Sequence, residues 1–225
     1  SGYMAIPSES SHNNWRSGLY VKASGVEFKM IPVAGYSGGF FLMAETETTE
    51  ALYKSVNGTV STSQLPIDEI SYSVITSFIE KLNNETKLNF SLPSADQWKY
   101  AANGGNKSQN YTYAGSNTPG DVAWYSANCS SKQKVKTKAP NELGIYDMSG
   151  NVGEFVSTMY SSEYRLEYPY IYGGAYCSQS QYVTNTSSVN TYRGYDSAGY
   201  QIYDNSYGSG AYGSGAGFRL MLTFK

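Results

Sequence analysis

The sequence is poor in the residue types that carry much of enzyme and metal chemistry. Its 225 residues include one histidine and two cysteines. The histidine, His12, lies in a polar stretch, and the count excludes catalysis that depends on histidine and zinc sites with two or more histidines. Cys129 and Cys177 are 48 positions apart and could form a disulfide, remain thiols or ligate a metal.

Charged residues and long apolar runs are also scarce. Only 15% of residues are charged and the net charge is −2, so the basic face of a nucleic-acid-binding protein is not expected. Because no apolar run is long enough to span a bilayer, we expect no membrane insertion. The first residues, Ser1-Gly2-Tyr3, do not resemble a signal peptide and could be either a cloning remnant or the start of a mature exported chain.

Tyrosine is abundant instead, and eight of its 23 copies lie in one stretch near the C-terminus, Tyr176–Gly217. This tyrosine-rich segment also holds eight serines, many glycines and only three charged residues. Tyrosine supplies stiff contact area with a polar tip, while serine, glycine and asparagine supply adaptable hydrogen bonds, as in binding loops. The alternative is a low-complexity, mobile loop. Strand-like sequence flanks the segment at Tyr170–Gly174 and Gly217–Phe224.

The first half of the chain shows helix signals. Thr49 and Ser94 are predicted N-caps, and Ser94 with Gln97 has the spacing of a capping box. A further helix is predicted from Ser71, with apolar residues on one stripe. Short apolar runs at residues 28–33 and 40–43 predict strands. The rest is rich in turns, so we predict one α+β domain with helices in the first half and short strands with long loops in the second.

Five motifs in order resemble one family. They are residues 47–53 (ETTEALY), 92–102 (LPSADQWKYAA), 141–155 (NELGIYDMSGNVGEF), Gly173-Gly174 and Gly217-Phe218-Arg219. This combination resembles the formylglycine-generating enzyme, or sulfatase-modifying factor, family, whose fold is a variant of the C-type lectin fold. The resemblance implies such a domain over residues 28–225. We expect residues 1–27, which precede the resemblance, to form an N-terminal segment that packs on this domain.

The resemblance does not extend to the family's copper-binding cysteine pair. Its two positions fall on Ser178 and Val183, while Cys177 lies one position early. A pair of thiolates could form only if Cys129 folded close to Cys177. We therefore expect no copper and no oxidase activity.

The resemblance also implies a calcium site. It places calcium ligands at the side chains of Asp147 and Glu154 and at the backbone carbonyls of Gly150 and Val152. Oxygen ligands around a tight glycine turn suit calcium. The alternative is that both carboxylates accept hydrogen bonds from backbone amides of the turn. The family pattern Asn-x-Trp-Glu-Trp is altered here, since Gly153 and Phe155 replace both aromatic residues.

The tyrosine-rich segment is similar in position and composition to the variable region of proteins diversified by retroelements, such as phage tropism determinants and bacterial surface adhesins. In those proteins, adenine-directed mutagenesis of Asn codons yields mainly Tyr, Ser, Asn, Asp, Gly and Thr. We predict an exposed ligand-binding face formed by Tyr176, Tyr182, Asn185, Asn190, Tyr192, Arg193, Tyr195, Asp196, Tyr200, Tyr203, Asp204, Tyr207 and Tyr212.

Three functions follow. The favoured one is a non-catalytic protein that binds a protein or glycan on another cell or phage surface, located outside the cell or on its surface. A formylglycine-generating oxidase is the second. A structural domain of a surface assembly, with the tyrosines buried by a neighbour, is the third.

Overall fold

The computed structural model describes residues 18–37, 39–161, 166–190, 192–195, 201–203 and 216–223. The described part of the chain begins with strands, continues through helices and a long turn-rich middle, and ends in strands that return to the first sheet. This is the predicted α+β class.

Within the described residues, the main sheet has the strand order β1-β2-β3-β13-β4. Its strands are β1 (Leu19–Ala23), β2 (Val26–Tyr36), β3 (Gly39–Ala44), β4 (Phe90–Ser91) and β13 (Met221–Leu222). All neighbouring pairs are antiparallel. The C-terminal strand β13 therefore lies between strands from the first half of the chain, which ties the two ends of the domain together.

Successive side chains of each strand point to opposite faces of the main sheet. Apolar side chains on both faces therefore form two hydrophobic cores, one on each side of the sheet. Leu42 and Leu222 belong to one core, with Phe78 and Phe218. Met43 and Met221, their neighbours in sequence, belong to the other core, with Trp98.

The predicted helices are confirmed. They are α1 (Glu50–Val56), α2 (Tyr72–Thr86) and α3 (Ala95–Ala102), followed by a one-turn helix α4 (Pro119–Val122) just past the middle of the chain. The Thr49 side chain accepts a hydrogen bond from the Leu52 amide. The capping box of α3 is complete, since Ser94 and Gln97 each accept a bond from the other's backbone amide. In α2 the predicted stripe is buried at Ile75, Phe78, Ile79 and Leu82, whereas Val74, its first residue, is 40% exposed.

A second sheet has the order β12-β5-β8-β9 among the described residues. Its strands are β5 (Gly153–Phe155), β8 (Tyr170–Tyr172), β9 (Ser188–Asn190) and β12 (Ala216–Phe218). Strand β12 runs parallel to β5, whereas β8 runs antiparallel to β5. A separate hairpin joins β6 (Met159–Ser161) and β7 (Leu166–Tyr168).

The tyrosine-rich segment contains more strand than its composition predicts. Besides β9, it includes β10 (Tyr192–Tyr195) and β11 (Gln201–Tyr203), which pair antiparallel with an irregular register. The expectation that this segment consists of loop is therefore wrong in part. The reason is that tyrosine and other aromatic residues favour strands even where glycine and serine are frequent.

Two sequence boundaries also differ from the structure. The stretch Gly217–Phe224 is not one strand, because the chain leaves β12 at Phe218 and enters β13 in the other sheet at Met221. The boundary between residues 27 and 28 falls inside β2, and residues 19–23 already belong to the main sheet. Residues 1–17 lie outside the described part. Among the residues that the structure describes, no helix is both long enough and apolar enough to cross a membrane.

The two serine N-caps provide a matched test of the helix assignments. We expect Ser94→Ala to lower the free energy of unfolding by about 1 kcal/mol, because it removes the acceptor for the Gln97 amide. Ser71→Ala is the control, since the Ser71 side chain makes no cap hydrogen bond to the backbone of α2. Urea unfolding measures both. Equal losses would show that the capping box does not stabilise α3.

Candidate functional site

Both ends of the tyrosine-rich segment are held by the second sheet. The chain enters the segment just after β8 and leaves it at β12, and both strands border β5. The backbone at the entrance is tightly packed. Gly174 has a φ of +69°, and a Cβ atom there would collide with the Tyr182 carbonyl oxygen. The segment is thus a long insertion between two fixed strands that lie on opposite edges of β5.

The first residues of the segment fold against residues 111–126. The Asn185 amide donates to the Thr112 carbonyl oxygen (3.1 Å), and the Ser126 amide donates to the Ser178 carbonyl oxygen (3.0 Å). The Asn185 side chain donates to the Tyr111 carbonyl oxygen (2.9 Å) and to Asn103 Oδ1 (3.0 Å).

These contacts divide the predicted ligand-binding residues. Tyr176 and Tyr182 are half-buried, which leaves part of each side chain at the surface. Asn185 is buried and holds the segment to its support, so the prediction that it faces a ligand is wrong. A residue whose side chain is enclosed by the protein cannot contact a partner.

The other predicted residues lie further along the segment. For Asn190, Tyr192, Arg193, Tyr195 and Tyr203 the backbone position on β9, β10 or β11 is described, but not the side chain. The remaining predicted residues, Asp196, Tyr200, Asp204, Tyr207 and Tyr212, lie outside the described residues. Their role in ligand binding stays a prediction.

The two positions that the resemblance assigns to copper-binding cysteines are both in the interior. Ser178 is buried and its hydroxyl oxygen accepts a hydrogen bond from the Ala175 amide (2.9 Å). Val183 is buried against Tyr113, Val122 and Ala123. These side chains offer a hydroxyl and an aliphatic group, and neither is the soft ligand that copper(I) prefers.

The structure brings the chain's two cysteines together, which their spacing did not predict. Both are present as thiols of intermediate exposure. The Cys129 sulfur donates to the Tyr125 and Tyr176 carbonyl oxygens, at 3.5 and 3.8 Å. Tyr176 directly precedes Cys177, so the two thiols lie at the same junction between residues 125–129 and the start of the tyrosine-rich segment.

A buried ion pair joins Glu154, on β5 of the sheet that holds the segment, to Arg219, which directly follows β12. Arg219 Nη2 is 2.6 Å from Glu154 Oε1, and Arg219 Nε is 3.0 Å from Oε2. The guanidinium also donates to the Ala44 and Tyr146 carbonyl oxygens. Trp98 Nε1 donates to Glu154 Oε2 at 2.7 Å. One pair therefore links β3, α3, β5, the 141–151 region and the β12–β13 connection.

Two further carboxyl groups lie near this pair. Glu47 accepts hydrogen bonds from the Val152 amide and from Asn151 Nδ2. Burial raises the pKa of Glu47 well above its usual value, and the neighbouring Asp147 and Glu154 add to the effect. Asp147 Oδ2 accepts from the Lys136 amide, while its Oδ1 has no hydrogen-bond partner. Burial raises the pKa of Asp147 to about 6.

These contacts do not fit a calcium ion on Glu154. A carboxylate has about four lone-pair sites, and the hydrogen bonds from Arg219 and Trp98 account for two on each oxygen. Within the described ranges, no group of three or more His, Cys, Asp or Glu side chains is arranged to hold a metal ion. Asp147 behaves as the alternative proposed, since it accepts a backbone amide. Calcium binding at Asp147, Gly150 and Val152 stays a prediction.

Sequence reasoning missed the roles of Arg219 and Glu47. In the sequence, Arg219 stands out only as part of the Gly-Phe-Arg motif, and Glu47 only as the start of the ETTEALY motif. A fully buried arginine needs a carboxylate, and the arginine sits in an otherwise apolar stretch. A single charged residue within an apolar stretch was thus the signal that the sequence offered for Arg219. It could not identify the partner, Glu154, which is 65 residues away.

A double-mutant cycle tests the buried pair. We expect Glu154→Gln to cost about 3–5 kcal/mol in unfolding free energy, because it leaves the Arg219 charge buried without a counter-charge. Arg219→Met should cost a similar amount for the converse reason. The variant with both Glu154→Gln and Arg219→Met should lose clearly less than the sum. Urea unfolding measures all variants, and additive losses would contradict the pairing.

A second test uses the pH dependence of stability. Because the folded-state pKa of Asp147 is about 6 and its ordinary value is 3.8, its ionised form opposes folding above pH 6. Lowering the pH from 7.5 to 4.5 should therefore stabilise the natural protein relative to Asp147→Asn by on the order of 1–3 kcal/mol. Asparagine suits the left-handed backbone at this position (φ +58°). If the unfolding free energies of the natural protein and of Asp147→Asn change in parallel with pH, the pKa of Asp147 is not raised.

Comparison with known proteins identifies the family. Residues 16–221 match the sulfatase-modifying factor enzyme 1-like domain. Among curated proteins, chaperone protein LppX of Paenibacillus barcinonensis is 44% identical over an alignment that covers 32% of this chain and 32% of that protein. The alignment with that relative thus spans about a third of its length.

Three solved structures share the fold. Treponema denticola variable protein 1 superposes with a TM-score of 0.69 at 21% identity, covering 91% of this chain and 98% of that one. CarF has a TM-score of 0.65 at 20% identity, covering 92% and 96% of the two chains. PvdO from Pseudomonas aeruginosa has a TM-score of 0.62 at 13% identity, covering 92% and 98%. The predicted fold is confirmed, and the chain belongs to the sulfatase-modifying factor enzyme 1-like domain family.

Proposed function

We propose that this protein is a non-catalytic binding protein that presents its tyrosine-rich segment, Tyr176–Gly217, to a protein or glycan on another cell or on a phage. The observation that carries the proposal is the anchoring of the segment. Its two ends are fixed on either side of β5 in one sheet, while its composition is that of a binding loop. A rigid support reduces the ordering cost of binding.

The described start of the segment supports this arrangement. Tyr176 and Tyr182 keep part of their side chains at the surface, although the residues between and after them, Ser178, Val183 and Asn185, are buried. The segment therefore begins with a serine, a valine and an asparagine turned inward and two tyrosines nearer to solvent. That pattern favours a binding face over a tyrosine core.

The likeness to Treponema denticola variable protein 1 supports a function in variable recognition. The two chains share a fold at low identity, and the tyrosine-rich segment has the composition that adenine-directed mutagenesis produces. A reverse transcriptase gene beside this gene, with a near-copy of its 3′ end, would support the proposal. Absence of both from the complete genome would argue against retroelement diversification, although not against binding.

The absence of catalysis is part of the proposal. The positions that correspond to the copper-binding cysteines carry Ser178 and Val183, both buried. The location that we propose is outside the cell or on its surface, because the sequence has few charges and many Tyr, Ser, Thr and Asn residues.

A triple substitution tests the binding face. We expect Tyr195→Ala, Tyr200→Ala and Tyr203→Ala together to leave the melting temperature nearly unchanged. Binding to an arrayed glycan library and to whole bacterial cells should fall at least tenfold, since good aromatic anchors contribute about 2 kcal/mol or more each.

Two single variants serve as controls. Tyr20→Ala removes a tyrosine that is 54% exposed on β1, so it should affect neither stability nor binding. Tyr172→Ala removes a buried ring that packs on Trp98, so it should lower stability by about 3–5 kcal/mol, the cost typical of large aromatic core truncations. If the triple variant behaves like Tyr172→Ala, the three tyrosines are internal, as in the structural-domain alternative.

The oxidase alternative has its own test. After incubation with copper(I), the protein should consume no oxygen in the presence of a cysteine-containing peptide beyond the rate of the Cys129→Ser, Cys177→Ser variant. An excess rate that disappears in this variant would establish copper-dependent oxidation at the two thiols and overturn the non-catalytic assignment.

A further inference from the structure

The strongest unassigned feature is the pair of thiols at the junction between residues 125–129 and the tyrosine-rich segment. The Ser126 amide donates to the Ser178 carbonyl oxygen at 3.0 Å, which joins the two turns one residue beyond Cys177. On the other side of Cys177, the Cys129 sulfur donates to the Tyr176 carbonyl oxygen at 3.8 Å. Cys177 is therefore bracketed by contacts to the turn that carries Cys129.

Both cysteines are residues of intermediate exposure, and the Cys129 thiol interacts electrostatically with Cys177. Burial raises the pKa of the Cys129 thiol, and the nearby Cys177 sulfur raises it further. The Cys129 thiol also donates to two carbonyl oxygens, and such bonds favour the protonated form. The Cys129 thiol is therefore largely protonated at neutral pH.

We propose that Cys129 and Cys177 form a reversible disulfide that clamps the start of the tyrosine-rich segment to the 125–129 turn. The sequence has no third cysteine, so each thiol has one possible partner within the chain. The bond would close a loop of 48 residue steps between the two positions. It requires no ligand and stands independently of the function proposed above.

The oxidant is a low-molecular-weight disulfide of the glutathione class, and the reaction balances as two exchange steps. One protein thiolate attacks a sulfur of the small disulfide, forms a mixed disulfide and releases one small thiolate. The second protein thiolate then attacks the protein-bound sulfur of the mixed disulfide and releases the other small thiolate. Two electrons pass from the cysteine pair to the small disulfide, and the two protons leave with the released thiols.

The clamp would act on the scaffold end of the binding segment. Residues 176–178 lead directly into the part that carries Tyr182, and Asn185 already fixes the segment to Tyr111 and Asn103. A covalent bond at Cys177 would add a second fixed point upstream of these contacts. It would also stabilise the domain, because closing a long loop restricts the unfolded chain.

The experiment is disulfide mapping of the folded full chain. The protein is incubated with excess oxidised glutathione at pH 8 in the presence of a metal chelator, alkylated and digested without reduction. We expect a peptide pair that joins Cys129 to Cys177, and a rise in melting temperature of about 5 °C or more that dithiothreitol reverses. The crosslinking rate should increase with pH, because only thiolates react.

Three variants make the outcome decisive. Cys129→Ser and Cys177→Ser should each retain one mixed disulfide with glutathione and show no rise in melting temperature. Cys129→Ser, Cys177→Ser should be unaffected by the reagent. The proposal is overturned if the natural protein carries two glutathiones and no internal crosslink, if the crosslink forms only in urea, or if it lowers the melting temperature. Loss of ligand binding in the triple tyrosine variant would leave this result unchanged, so the two proposals fail separately.

Discussion

The ion pair between Arg219 and Glu154 is the interaction on which the arrangement of this domain depends. A guanidinium and a carboxylate without solvent access are stable only when each satisfies the other and the remaining donors find acceptors. Here Trp98, Ala44 and Tyr146 complete the set. Because these residues come from distant parts of the sequence, the pair can form only when the main sheet, helix α3 and the second sheet are all in place.

The same pair sets the geometry of the tyrosine-rich segment. Glu154 is the middle residue of β5, and Arg219 follows directly after β12. Strand β5 in turn separates β8 from β12, the two points between which the segment runs. The buried ion pair thus fixes the distance between the two ends of the proposed recognition surface without contributing to that surface. In this arrangement, residues of the tyrosine-rich segment can be substituted without a change in the buried ion pair.

The sequence predicted local features of the fold well because these features have local causes. Thr49, Ser94 and Gln97 specify helix starts through bonds that span three residues, and the stripe on α2 follows from helix periodicity. The candidate functional site was harder to predict from sequence, because its key contacts join residues that are far apart in the chain. Glu154 looked like a calcium ligand by motif, and nothing near it in sequence indicated Arg219. Asn185 looked like a contact residue by composition, yet burial decides its role. Composition alone also concealed strands β9 to β11.

The parallel pairing of β12 with β5 has a consequence for how this chain can evolve. Because β8 and β12 both pair with β5, the chain between them is a long connection with fixed ends. The entropic cost of closing such a connection rises only slowly with its length, by about 0.6 kcal/mol for each doubling of the number of residues. Codons can therefore be inserted, deleted or replaced between the two strands with little thermodynamic penalty, provided that residues 176–190, which include β9, and the final glycine-phenylalanine pair are kept.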